Sequence, residues 1–305
     1  MKQMNIFMLV GLSVAIAQPV RACDLCAVFA ASEAQGGDGK GFFGGVAGQF
    51  TEFGTLQADG REIANAEGAY IHSFTSQLFA GYNFNQHVGV QFNLPMIYRD
   101  YGTSSHASEA GIGDVSLLGN FRIYEYLRED FTFNWTALGG ITFPTGDSSK
   151  LNTPDFAEGI GGHDLALGSG SFDELVGTGF LVRWQKLFFT GNMQYAIRTE
   201  GDFHHQYAND WTWAGGPGAY LCLKENSTLT LQAMVSGESK GADHFGNVAD
   251  EDSAETAVYL GPQINFTWGN RLGAQLGIDL PVSIDNTGSQ LVPDYRMRAA
   301  ITWRF

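Results

Sequence analysis

Long stretches of this chain alternate apolar and polar residues with a period of two, and that pattern leaves few folds open. In FTFNWTALGGITF, Phe131, Phe133, Trp135, Ala137, Gly139, Ile141 and Phe143 share one face. Thr132, Asn134, Thr136, Leu138, Gly140 and Thr142 share the other. The last residues repeat the pattern, with Tyr295, Met297, Ala299, Ile301, Trp303 and Phe305 opposite Arg296, Arg298, Ala300, Thr302 and Arg304. Successive side chains of a strand point to opposite faces, so the alternation predicts strands with one apolar face. Segmentation from Gly41 onward predicts twelve of them: 41–55, 69–84, 87–101, 111–126, 131–146, 172–184, 187–200, 210–223, 227–238, 255–268, 271–285 and 294–305. Most are about twice the length of a soluble strand. They suit a tilted membrane crossing, which takes ~9–11 residues in the hydrocarbon.

The connections alternate between short and long. The short ones are 85–86, 127–130, 185–186, 224–227 and 269–270. The long ones are 56–68, 102–110, 147–171, 201–209, 239–254 and 286–293, rich in Gly, Asp, Ser, Asn and His. Outer-membrane barrels have tight periplasmic turns and longer extracellular loops. The expected fold is therefore all-β, a transmembrane antiparallel β-barrel over 41–305. Its even strand number puts both termini on the periplasmic side.

Composition supports this reading. Only 16% of the 305 residues are charged, against about 25% in an ordinary soluble domain. The net charge of −15 argues against nucleic acid as a partner, because phosphate contact needs a basic surface. Tyr82, Phe84, Tyr124, Tyr126, Phe131, Phe133, Trp184, Trp268, Trp303 and Phe305 fall where strands meet the short turns, as an interfacial girdle would. A soluble sandwich or lipocalin-like barrel would bury the apolar face instead. Here the polar faces carry Arg, Asn, Gln and Thr, which suits lipid outside and a wet lumen inside.

Residues 1–22 read as a cleaved secretory signal, with Lys2, an apolar run from Ile6 to Ala17, and a small residue at Ala22. Residues 23–40 then form a periplasmic segment, a helix or plug, that carries Cys23 and Cys26. In an oxidising compartment this CxxC can close as a disulfide, cycle or dock with a periplasmic partner, or bind metal; Cys23 can also be lipidated. Ala27 stands where a haem attachment motif needs His. Cys222 reads as an unpaired packing residue.

Four stretches carry a family resemblance: GIGDVSLLGNFRIY (111–124), GGITFPTGDSSK (139–150), LALGSGSFDELVGTGF (165–180) and MQYAIRTEG (193–201). Together they resemble the outer-membrane β-barrel family named after the meta-pathway of phenol degradation, a transporter-like family. The resemblance implies an outer-membrane barrel with a role in small-molecule passage, and it carries no catalytic residues. Locally, Asp114 and Asp147 read as turn chemistry, and Pro144, lacking a backbone donor, marks the end of a span.

With the apolar faces to lipid, parity turns Arg122, Arg183, Arg198, Arg296, Arg298, Arg304, Asp114 and Asp279 into the lumen. Gln91, Asn93, Asn120, Asn134, Gln194, Gln232, Gln263 and Gln275 join them. The arginines either set charge selectivity or pair with lumen carboxylates. No metal site is expected from His106, His163, His204, His205 and His244 on the long loops. His72 and Ser76 share a face at about 13 Å, too far for a nucleophile and base, so no enzyme and no cofactor are expected. The reading is a barrel in outer-membrane lipid that passes a small solute passively, with Phe305 as its signal to the barrel-assembly machinery. The alternative is a non-transporting barrel with an occluded lumen, serving as an anchor or docking platform.

Overall fold

Strand pairing follows the alternation closely. The structure, a computed structural model, describes residues 40–153, 156, 159–269 and 271–305. The signal segment and the CxxC of Cys23 and Cys26 lie outside the described residues. Twelve long strands run in sequence: β1 (Gly41–Ala58), β2 (Tyr70–Asn83), β3 (Val88–Gly102), β4 (Val115–Leu127), β5 (Phe131–Phe143), β6 (Asp173–Trp184), β7 (Leu187–Ile197), β8 (Asp210–Lys224), β9 (Ser227–Lys240), β10 (Glu255–Trp268), β11 (Leu272–Asn286) and β12 (Ser289–Arg304). Each pairs antiparallel with its neighbours, and β12 pairs with β1, so the sheet closes on itself. Closure leaves no free edge in the hydrocarbon, the condition for crossing a bilayer with strands.

The outer surface is apolar. Phe74, Leu78, Phe92, Met96, Leu117, Ile141, Leu260, Ile264, Met297 and Ile301 are all exposed, while Gln49, Thr75, Gln91, Asn93, Gln194, Gln232 and Gln263 are buried. A soluble protein does not present so continuous an apolar belt to water. At the turn end, aromatic rings pack in a chain: Phe42 on Tyr82 (4.6 Å), Tyr82 on Phe84 (5.3 Å) and Tyr126 on Phe131 (6.0 Å).

The largest departures from the sequence expectation lie at the end of the chain. The long connection expected at 286–293 is only the turn Thr287–Gly288, with Gly288 left-handed (φ 60°), and β12 begins at Ser289. Pro293 pairs with Phe53 between two register shifts of β1 against β12, and a bulge is where a residue without an N–H is tolerated. The second departure follows from the first. β11 and β12 pair from Leu272↔Trp303 to Asp279↔Arg296 and no further. Beyond that point Leu280–Asn286 stay with β10, while 289–295 stay with β1. Leu291, Val292 and Pro293 are all buried, whereas Val282 and Ser283 are both exposed. The wall forks at its loop end, with the β12 branch turned inward.

The strand expected at 111–126 is a pair of segments. His106–Ile112 and β4 both lie against β3, offset by one residue around Gly113 and Asp114. The expected strands 131–146 and 187–200 stop earlier, at Phe143 and Ile197. Pro144 ends the first, and Arg198 turns to its carboxylate partners at the end of the second.

Candidate functional site

The site is the barrel interior together with the loop that caps it. Residues after Phe143 fold back over the lumen instead of standing out into solvent. They carry a short helical turn at Ser149–Asn152 and a helix, α1 (Gly162–Leu165). Ile160 and Leu165 from this loop join Leu56, Ala69, Ile71, Tyr101 and Leu291 of the wall in one buried apolar cluster. Arg99 of β3 donates from Nη1 to the carbonyls of Asp164 and, at 2.8 Å, Ala166. The Leu291 amide donates to the Gly159 carbonyl at 3.2 Å. These contacts make the described residues of 144–172 a lid.

Asp114 is the tether of that lid. Its carboxylate accepts from the amides of Thr145 (3.0 Å), Gly146 (2.8 Å) and Ser169 (2.7 Å), and from the Ser169 hydroxyl (2.7 Å). Three of the four stretches that carry the family resemblance thus converge on one buried carboxylate. The approach needs glycine. A Cβ at Gly146 would lie 2.6 Å from the Leu167 carbonyl oxygen, and one at Gly168 would lie 2.7 Å from Asp114 Oδ1. Nearby, the Ser149 amide and hydroxyl hold the Asp147 carboxyl below its ordinary value. Glu109, 2.6 Å from Lys150 Nζ, raises that ammonium's pKa.

Beneath the lid is a cavity of about 170 Å³, whose lining includes Phe53, Asn93, Arg99, Leu167, Arg198 and Pro293. A second cavity of about 120 Å³ opens near the turn end among Phe43, His87, Gln91, Asn120, Arg122 and Arg304. Neighbours on β3 line the two cavities, Asn93 the first and Gln91 the second, and Gln91 Nε2 donates to Asn93 Oδ1 at 2.6 Å. The buried polar atoms Gln49 Oε1, Ser73 Oγ, Thr75 Oγ1, Gln77 Nε2, Gln275 Oε1 and Thr302 Oγ1 make no hydrogen bond to the described residues. Buried polar atoms of this kind normally have a partner, often water, so the interior is built to be wet.

Four of the inward arginines are matched by carboxylates. Arg296 reaches Glu238 (3.1 Å) and Asp279 (3.6 Å), Arg298 reaches Asp279 (2.8 Å), and the Arg296 guanidinium lies 3.6 Å over the ring of Tyr259. This network sits at the crotch of the fork, because Asp279↔Arg296 is the last pair between β11 and β12. Arg198 stands between Asp173 (2.9 Å) and Asp210 (2.7 Å), and Arg122 bonds Glu125 (2.6 Å). Arg183 donates to Thr132 Oγ1 and to turn carbonyls, and Arg304 lines the turn-end cavity. Sequence parity brought out the arginines but missed Asp173, Asp210, Glu238 and Tyr259. Glu238 shares its face with Gln232 and was legible by the same count.

Among the described residues no group of three or more His, Cys, Asp or Glu is arranged to hold a metal ion. His72 faces outward between Glu52 (3.0 Å) and Asp100 (3.5 Å). Cys222 is a free thiol.

No family model matches the chain, and no curated protein matches it. The resemblance to the meta-pathway family therefore rests on the four stretches themselves. Among solved structures, an outer membrane channel from Pseudomonas putida F1 superposes with a TM-score of 0.66 at 15% identity, covering 88% of this chain and 96% of that one. The translocator domain of the autotransporter NalP from Neisseria meningitidis covers 92% and 94% at 13% identity, with a TM-score of 0.45. The first of these shows the fold. This chain is a closed twelve-stranded β-barrel of the outer-membrane type.

Proposed function

We propose that the protein is an outer-membrane channel for passive passage of a small solute, entering from the loop side and leaving at the periplasmic turn side where both termini lie. The observation that carries this reading is the interior itself: one cavity beneath the lid and one near the turn end, in a barrel whose buried wall is lined by Gln, Asn, Ser and Thr. The arginines do not make it an anion filter. Each of Arg122, Arg198, Arg296 and Arg298 is within ion-pair distance of a carboxylate, and a matched pair leaves little net field in the pore. Size and hydrogen bonding then select. The loop-end cavity mixes apolar Phe53, Leu167 and Pro293 with charges of both signs, Arg99, Arg198 and Lys240 beside Asp114, Glu238 and Glu255, which suits a small polar or amphipathic molecule of little net charge.

The rival reading, an occluded barrel that serves as an anchor or docking platform, is favoured by the lid. Two measurements separate them: planar-bilayer conductance under a salt gradient, and swelling of proteoliposomes in neutral solutes. Solute-dependent swelling with small, weakly selective conductance steps supports the channel. A well-folded barrel that gives neither, even with the lid tether cut by Asp114→Ala, supports the platform.

A further inference from the structure

Three loops of separate origin meet at one side chain above the lumen. His205 begins a short strand, His205–Gln206, paired with Asp243–Phe245 of the loop that follows β9, and that segment pairs in turn with Val248–Asp250. The His205 ring stacks on His163 of α1 in the lid (6.5 Å between centroids) and meets Tyr207 (4.5 Å) and Phe245 (4.7 Å) edge-on. The Tyr207 hydroxyl donates to the His163 carbonyl at 2.9 Å, so the same contact pins the lid. His205 is fully buried, and neither ring nitrogen makes a hydrogen bond to the described residues.

The charged groups facing it leave no place for an imidazolium. Asp243 Oδ2 is the nearest carboxylate oxygen, 3.9 Å from Nε2, beyond hydrogen-bond reach. That carboxylate is already engaged by Lys240 Nζ (2.8 Å) and the Ala208 amide (2.8 Å). Burial pushes the Asp243 carboxyl up, but Lys240, with His163 and the Ala208 amide, more than offsets this and holds it below its ordinary value. The Lys240 ammonium lies 5.1 Å over the Tyr207 ring, and Asp164 is turned to His163 at 3.3 Å. The backbone leading into His205 is also strained, because Phe203 and His204 both hold left-handed φ near 58° without being glycine.

We propose that His205 is an acid-sensitive latch: neutral, it holds the three loops together over the lumen mouth, and protonated, it releases them.

The direction follows from linkage. Burial lowers the pKa of His205 from 6.5 to about 4, with Asp243 opposing and His163 and Lys240 adding to the effect. A released ring regains its ordinary value. The closed state is therefore fully favoured above pH 6.5 and loses ground as pH falls towards 4. One such group shifts the open-to-closed ratio by roughly 30-fold between pH 8 and pH 5. This latch does not depend on whether the lumen conducts.

The test is hydrogen exchange on the full chain in micelles, with each rate normalised to the intrinsic rate at that pH. Three amides report the closed loops: Gly201 on the His205 carbonyl, Gly246 on the His204 carbonyl, and Ala208 on Asp243. Their protection should fall roughly 30-fold from pH 8 to pH 5, while strand amides of β2 and β9 stay constant. His205→Phe keeps an aromatic ring among aromatic neighbours and should hold its protection flat. Constant protection down to pH 5 in the parent chain, or an equal fall in the Phe variant, overturns the latch. Should the variant fail to fold, the parent profile decides alone. A one-proton fall centred between pH 4 and 6.5 supports the latch, and a fall that begins only below pH 4, where carboxylates titrate, overturns it.

Discussion

The two ends of this barrel are built on opposite principles. At the turn end the strands are joined by connections as short as Gln185–Lys186, and rings such as Tyr82 and Phe84 face the bilayer boundary. At the loop end, the described residues of 144–172 enter the barrel, bury Ile160 and Leu165 against the wall, and are tied to it by Asp114 and Arg99. The wall itself also opens there, at the fork beyond Asp279 and Arg296. The turn end is held by lipid and backbone pairing, which any suitable side chains satisfy. The loop end is held by particular side chains. Single substitutions should therefore separate the two, leaving the barrel folded while the mouth comes apart.

The largest effect is expected at the crotch of the fork. Asp279 is 1% exposed and faces Arg296 and Arg298. Asp279→Ala leaves Arg298 without this carboxylate and Arg296 with Glu238 as its carboxylate partner, and both guanidinium groups are buried. Breaking a buried pair from one side costs about 3–5 kcal/mol. The urea midpoint of the barrel, followed by its heat-modifiable migration, should drop accordingly. Replacing Asp279 and Arg298 together by Leu and Met should recover much of the loss. A midpoint that does not move in the single variant would show that the fork stands without its ion pairs, and the contrast between the two ends would fail.

The barrel wall was legible because lipid imposes one rule on every strand. Thr132, Asn134 and Thr136 against Phe131, Phe133 and Trp135 are enough to place β5, and the same count turned Asp279 and Arg298 inward. The lid was not legible, since contacts between distant loops leave no period. Asp114 and Ser169 are 55 residues apart, and each read alone is turn chemistry. The available signal was weaker: Ile160, Leu165 and Leu167 are three large apolar residues in a stretch otherwise read as solvent-facing. The fork was missed because 286–293 read as a long connection, with Asn286, Gly288 and Ser289 as loop residues, whereas the chain turns at Thr287–Gly288 and starts β12 at Ser289. His205 shows the same limit, because its neighbours His163 and Asp243 come from different loops.

Next in size is the lid tether. Asp114→Ala removes acceptors for three backbone amides and one hydroxyl. Hydrogen bonds to a charged group contribute about 1.5–3 kcal/mol each. Because the freed donors can turn to water when the lid lifts, the net loss should be about 2–4 kcal/mol. It should fall on the lid and not on the wall. Protease cleavage within 147–168 should appear while the urea midpoint of the barrel stays put. Asp114→Asn, which keeps part of the acceptor capacity, should fall between. If both observables moved together, lid and wall would be one cooperative unit and the distinction drawn above would be wrong.

The smallest effect is expected at Lys150 and Glu109, which join the lid to the segment His106–Ile112 at the rim. Their side chains are about a third exposed, and a pair so placed is worth below about 1 kcal/mol. The direction with pH is nonetheless definite. Glu109 raises the pKa of Lys150 above its ordinary 10.5, so the pair's contribution is fully present below pH 10.5 and is lost as pH rises through the raised value. Lid protection, read by the exchange of the Leu167 and Gly168 amides that donate to the Asp147 carbonyl, should weaken slightly above pH 10.5 in the parent chain and not in Lys150→Gln. High salt should erase the difference between the two at neutral pH, since an exposed pair is screened. A difference that survives molar salt would mean that Lys150 holds the lid through packing of its stem and not through its charge. The loop end would then rest on Asp114, Arg99 and the buried apolar cluster, with no share from the Lys150 charge.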